Sequence, residues 1–221
     1  MAQIETELQL LKTEAINMWT LVNSQLSKAR LSFVNFDKDL AREVVLKEKR
    51  VNGSELKIDR DCENIFALFC PVAIDLRFLL AVLKINTNLE RIGDIAEGIA
   101  KYVIDAEVPF SQTLLDSTRI LPMYEESVRM LEDTQDAFEK EDTILARSVF
   151  KKDDFLDDVN RQSHKVLERH IKDHPEDTAQ ALWILSTIRK LERVGDQAKN
   201  IAEEIIFYLE AKVLKHRNKF V

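Results

Sequence analysis

The chain is poor in residues that break helices. Among its 221 residues there are four Gly and four Pro, about half the usual usage, so turns are few and elements long. The two cysteines, Cys62 and Cys70, fall on one expected helix about 12 Å apart along its axis, too far to bridge each other. They read as reduced packing residues. No apolar run approaches the 18 or so residues of a membrane span. The opening Met1-Ala2-Gln3-Ile4-Glu5 lacks the basic stretch and apolar core of a secretory signal. The expectation is a soluble, cytoplasmic protein. A formal net charge of −7 leaves no surplus of Lys and Arg for phosphate backbones, which argues against nucleic acid as a partner. The one basic stretch, Lys212, Lys215, His216, Arg217 and Lys219, reads as a solvated end complementing a helix dipole. Gly-rich phosphate loops, nucleophile motifs and dinucleotide fingerprints are missing as well.

What the chain does have is a repeat. Glu90-Arg91-Ile92-Gly93-Asp94 returns as Glu192-Arg193-Val194-Gly195-Asp196, 102 residues on (192 − 90, 196 − 94). Leu89, Ala96, Ile99 and Ala100 likewise become Leu191, Ala198, Ile201 and Ala202. The repeat is a whole helix, and the chain divides into two units, 1–107 and 108–221. Its 45% hydrophobic content can fill a sizeable core. Apolar residues stepping by three and four predict three long helices in each half. The first covers Gln3 to Ser32. Asp37 then caps a second helix reaching Phe69, loosened at Asn52-Gly53-Ser54. Pro71 opens a third that ends near Asp105. In the second half a helix starts near Ser111 and is kinked or interrupted by Pro122. Another runs from Lys140 to Lys172, and Pro175 opens the last, which continues toward Lys215. The fold class is all-α: two repeated three-helix bundles side by side, six long helices in an elongated body.

The repeated acids carry the chemistry. At 100° per residue, Leu89, Ile92, Ala96, Ile99 and Val103 form one stripe, and Glu90 and Asp94 point roughly opposite. Like charges at i and i+4 destabilise a helix by a few tenths of a kcal/mol when left alone, so something positive is expected there. Gly93 and Gly195 each cost about 1 kcal/mol inside a helix, and close approach of a backbone or ligand is the usual benefit. Two carboxylates one turn apart are half of an oxygen-rich metal site. The preceding helix supplies acids for the remainder: Glu48, Asn52 and Glu55 in the first half, Asp153 and Asp157 in the second. The metal candidates are therefore Glu90, Asp94, Glu192 and Asp196, with Asp153, Asp157 and Glu48 weaker. Such donors suit Mg, Mn or Fe better than a structural zinc site.

An enzyme of the carboxylate-bridged di-iron class would need inward Glu and Glu-x-x-His ligands. The chain has no Glu-x-x-His, and His164, His170 and His174 read as exposed. No catalysis is expected. A scaffold whose acids meet solvent or a basic partner is the other alternative.

These motifs resemble the PhoU family, the accessory regulators of bacterial phosphate-specific transport, over nearly the whole chain. Pro71-Val72-Ala73-Ile74-Asp75-Leu76-Arg77, Leu83-Lys84-Ile85, Val51-Asn52 and Asp153-Asp154-Phe155-Leu156-Asp157 also resemble family segments. Ile95 and Gln197 stand where the family often has His, and Gly98 and Lys101 in the first copy depart from Asn200 and Glu203 in the second. The resemblance implies a cytoplasmic homodimer that links a membrane phosphate ABC transporter to a sensor histidine kinase and represses the phosphate-starvation response when phosphate is plentiful. It further implies multinuclear metal clusters (Fe, Zn, Mn or Mg) at Glu90, Asp94, Glu192 and Asp196. The remaining alternatives are a metal-independent scaffold, or an accessory protein of a different phosphate transporter.

Overall fold

Long helices follow from the scarcity of Gly and Pro, and a computed structural model describing residues 2–214 shows seven of them. They are α1 (Ala2–Asn35), α2 (Lys38–Phe69), α3 (Ala73–Asp105), the short α4 (Gln112–Thr118), α5 (Ile120–Lys140), α6 (Thr143–Asp173) and α7 (Thr178–Glu210). Helices of 31 to 34 residues reach about 50 Å.

The joints repeat as the helices do. Asp37 ends its turn with its N–H on the Ser32 carbonyl at 2.9 Å, and its carboxylate accepts from the N–H groups of Asp39 and Leu40. Asp142, 105 positions later (142 − 37), does the same with Ala137 at 2.9 Å, Ile144 and Leu145. The residue before each, Phe36 and Glu141, takes the left-handed φ that such a turn requires.

Several boundaries differ from expectation. The helix is not loosened at Asn52-Gly53-Ser54: α2 runs through, and Gly53 faces open space. Pro71 lies in the connection and not in the first turn of α3, because Cys70 (φ 48°) and Ala73 (φ 49°) both turn left-handed around it. The break expected at Pro122 falls at Arg119 (φ 57°). A proline ring clashes with the carbonyl four residues back, so the helix must end near Thr118 and restart. The next helix begins at Thr143, behind its Asp142 cap, and not at Lys140. Pro175 opens a 3₁₀ turn (Pro175–Asp177) that precedes α7, and α7 stops at Glu210. The continuation toward Lys215 is therefore absent up to residue 214, and Lys215, His216, Arg217 and Lys219 lie outside the described residues. His170 is not exposed: its ring sits against Asp177 at 2.8 Å in the α6–α7 corner. Cys62 packs inside, where burial pushes its thiol up to about 12. Cys70, in contrast, is exposed at the end of α2.

In each half the helices pack on one another, and α3 lies against α7 and α1 against α5. Buried Trp19, Phe138 and Tyr208 and the half-buried Phe78, with ring centroids 5.1 to 6.2 Å apart, come from four helices and join the halves through one core. The α3–α7 pair runs antiparallel about its glycines. Lys84 meets Glu204 at 3.0 Å at one end, and Tyr102 lies 4.7 Å from Trp183 at the other.

Candidate metal centre

Each acidic motif sits where the third helix of its half crosses the second. Leu89, Ile92, Ala96, Ile99 and Val103 are all fully buried, as their spacing predicts, leaving Glu90 half-buried and Asp94 exposed on the flank. Gly93 faces α2. A Cβ there would lie 3.0 Å from Val51 Cγ1 and 3.1 and 3.2 Å from the two Glu48 carboxylate oxygens. The glycine therefore admits a neighbouring side chain, where a backbone or ligand was expected. The second half repeats the device: a Cβ at Gly195 would lie 2.7 Å from Leu156 Cδ2 and 2.8 Å from Asp153 Oδ1. Glu48 and Val51 match Asp153 and Leu156 at a spacing of 105 (153 − 48, 156 − 51).

The electrostatics of the two crossings differ. Glu48 is 4% exposed, and neither of its oxygens accepts a hydrogen bond. Burial, followed by the charges of Asp94 and Glu97, pushes its carboxyl up to about 7. The Gln25 amide, bonded to the Val44 carbonyl at 2.9 Å, opposes that shift without bonding the carboxylate. Glu90 is raised by burial, Asp94 and Glu55, and Glu55 by burial, Asp59 and Asp94. Glu48, Glu55, Glu90 and Asp94 make no ion pair within 4 Å among the described residues, and Arg91 only partly offsets the upward shift of Glu90.

At the second crossing Asp153 is equally buried, but Lys199 reaches it and also holds Asp196 at 2.9 Å. Burial works against the lysine's charge, yet the bonds it donates to Asp153 and Asp196 hold its ammonium above the ordinary range. Glu192 is raised by burial and by Asp196, Asp157 and Asp153. Asp153 Oδ1 is still left without a hydrogen bond. The position matching Lys199 in the first repeat is Glu97 (199 − 102). Among the described residues no three His, Cys, Asp or Glu side chains converge into a finished ligand set.

The model of the PhoU domain matches the chain twice, over residues 16–103 and 120–205, one match for each acidic crossing. The chain belongs to the PhoU family. The phosphate-specific transport system accessory protein PhoU of Edwardsiella tarda is 33% identical over 214 residues, 97% of this chain and 87% of that protein. Its counterpart in Escherichia coli (strain K12) is 32% identical over 214 residues, with shares of 97% and 88%. The crystal structure of PhoU from Pseudomonas aeruginosa superposes with a TM-score of 0.87 at 29% identity, covering 94% of this chain and 99% of that one.

Within this PhoU chain the sequence reading placed the motif acids on their helices and paired each with the right partner helix. Asn52 is exposed, whereas Glu48 is buried. Sequence reasoning missed Lys199, whose partner Asp153 lies 46 residues away on another helix. The signal available was the change of sign between Glu97 and Lys199 once the repeats are aligned. It noted that Gly98 departs from Asn200 but missed the partners that these positions meet at the α3–α7 crossing. There Asn200 donates to Asn88 at 3.4 Å, whereas at the matching place Lys190 lies over Gly98, close enough that a Cβ would overlap its Nζ. Burial and the neighbouring Arg193 push the Lys190 ammonium below its ordinary range. Among the described residues no helix is long and apolar enough to cross a membrane.

Proposed function

We propose that this protein regulates phosphate uptake and the phosphate-starvation response, as a cytoplasmic, metal-binding homodimer that links a membrane phosphate ABC transporter to a sensor histidine kinase and represses when phosphate is plentiful. The family supports the phosphate setting, since the relatives it matches over nearly their whole length are accessory proteins of phosphate-specific transport. The reading assigns no catalytic role to any residue.

One observation carries the metal part: the buried Glu48 carboxylate lies on Gly93 with both oxygens unsatisfied and with Glu90 and Asp94 adding charge. A buried carboxylate without a partner is costly, and a hard cation with oxygen preference offsets that cost. Glu48, Glu90 and Asp94 would hold it in the first half. Asp153, Asp157, Glu192 and Asp196 form the corresponding set, where Lys199 competes for the same oxygens. When bound, the ion supplies positive charge at the crossing and a point at which an anionic group can attach. Multinuclear clusters of Fe, Zn, Mn or Mg remain within the reading, and carboxylate donors favour Mn, Fe or Mg.

Elemental mass spectrometry of the purified protein, before and after chelation, tests this. The expected result is stoichiometric metal that is lost in the Glu48→Ala, Glu90→Ala, Asp94→Ala variant. Co-purification with the transporter and the kinase from membranes tests the adaptor role separately. A metal-independent scaffold is favoured by one observation, the Lys199 bridge that already neutralises the second crossing. No metal under any loading condition, with partner capture intact, would establish it.

A further inference from the structure

Beside the acidic flank, α3 and α7 enclose a shallow crevice of about 340 Å³ on the first-repeat side of their crossing. Arg91, Lys101, Lys190 and Arg193 line it against Asp94 and Glu97, a surplus of two positive charges (four minus two) on a chain whose formal net charge is −7. Only Lys101 is paired, with Glu97 at 2.6 Å. Arg91, Lys190 and Arg193 make no ion pair within 4 Å among the described residues. Lys190 is half-buried, with the Tyr102 ring 5.5 Å from its ammonium, and the charges of Asp94 and Glu97 offset its burial and the neighbouring Arg193 only in part. A half-buried ammonium beside a second cation is held against its own solvation, and that arrangement is stable when an anion shares it.

We propose that this crevice is a binding site for a small oxyanion of the phosphate class, with the Arg91 and Arg193 guanidinium groups and the Lys190 ammonium as its donors. Two planar guanidinium forks with an ammonium match the tetrahedral oxygens of such an ion. The site is one-sided. Across the pseudo-twofold relation, Asn88 stands where Lys190 does, Glu203 where Lys101 does, and Asn200 where Gly98 does, each offset by 102. Gly98 is what makes room, because any side chain there displaces the lysine. The site rests on these cations and not on the metal reading, although Asp94 borders both.

Isothermal titration of inorganic phosphate into the full chain, stripped of metal by a chelator and desalted, tests the proposal at low ionic strength. One ion per chain is expected. Lys190→Gln and Arg193→Gln should each weaken binding about tenfold, the loss of one charge-assisted contact. Gly98→Ala serves as a check on folding. Its Cβ meets the mobile end of a lysine, and alanine suits a helix better than glycine. The melting temperature should therefore hold or rise while phosphate binding falls. Absence of phosphate binding up to millimolar concentration would overturn the proposal, as would wild-type affinity in both Lys190→Gln and Arg193→Gln. Phosphate that binds only after metal loading, unaffected by Lys190→Gln, would assign the anion to the metal and overturn this site while leaving the metal reading standing.

Discussion

Glu48 and Asp153 hold the same place in the two repeats, each carboxylate lying on a motif glycine and 4% exposed, yet their surroundings differ in charge. Around Glu48 the neighbours are Asp94, Glu97 and Glu90, and its carboxyl is pushed up to about 7. Around Asp153 the place of Glu97 is taken by Lys199, which ties Asp153 to Asp196. One aligned position therefore decides whether the buried carboxylate of the crossing faces a lysine or another acid. Backbone, glycine and carboxylate form the shared frame, and the occupant of the frame is set separately in each half.

Removing the internal cation should have the largest effect. Lys199→Met leaves a buried carboxylate uncompensated, and urea denaturation should show a loss of about 3 kcal/mol. Lys199→Glu turns the second crossing into a likeness of the first. It should lose similar stability without divalent cation and regain a measurable part with it, if the frame is equivalent. The converse, Glu97→Lys, should stabilise the first crossing in the absence of metal and reduce metal uptake there.

The pH dependence of the first crossing comes next. Its folded pKa of about 7 lies above the ordinary carboxyl value of 4.5, so between those values the folded state holds a proton that the unfolded state has released. In the metal-free protein stability therefore falls as pH rises from about 4.5 to 7 and levels off above, by on the order of 3 kcal/mol from this group. Glu48→Gln should flatten that part of the curve and leave the protein more stable at pH 8. A slope unchanged in the variant would show that another group is responsible.

The motif glycines separate the halves by a smaller amount. At Gly195 an added Cβ comes within 2.7 Å of Leu156 Cδ2 and 2.8 Å of Asp153, so Gly195→Ala should cost about 1–2 kcal/mol by overpacking. At Gly93 the nearest atoms are 3.0 to 3.2 Å away. The clash there is milder, and the gain in helix preference of about 1 kcal/mol should bring Gly93→Ala close to neutral. Thermal melts of the two variants compare them directly.

How much of this could be read from the sequence depends on the range of the interaction concerned. The α3 and α7 stripes, the end of α3 at Asp105 and the Asp37 cap follow from residues within one or two turns, and all appear where expected. The break at Arg119 was displaced because Pro122 acts on the carbonyl four residues earlier. His170 was misread because its partner Asp177 becomes a neighbour only after the chain turns at His174. The burial of Glu48 depends on the meeting of two helices, and no local pattern distinguishes it from an exposed acid at the same spacing. Lys199 was visible as a change of sign between repeats, but its role required knowing that Asp153 lies beneath it.

The smallest contrast is expected where the halves are alike. Asp37 and Asp142 each accept two backbone N–H groups, at 2.9 to 3.0 Å and 2.8 to 3.0 Å, behind a left-handed residue that closes the preceding turn. Neither cap touches the acidic crossing of its half. Replacing either by Ala should cost about 1 kcal/mol, and chemical denaturation should give the two variants the same loss within error. If Asp142→Ala were much the costlier, the second half would be the weaker unit as a whole. The Lys199 result would then report fragility of that bundle and not the loss of a buried ion pair. Equal losses at the caps with unequal losses at the crossings would place the asymmetry at the crossings, where one repeat carries Glu97 and the other Lys199.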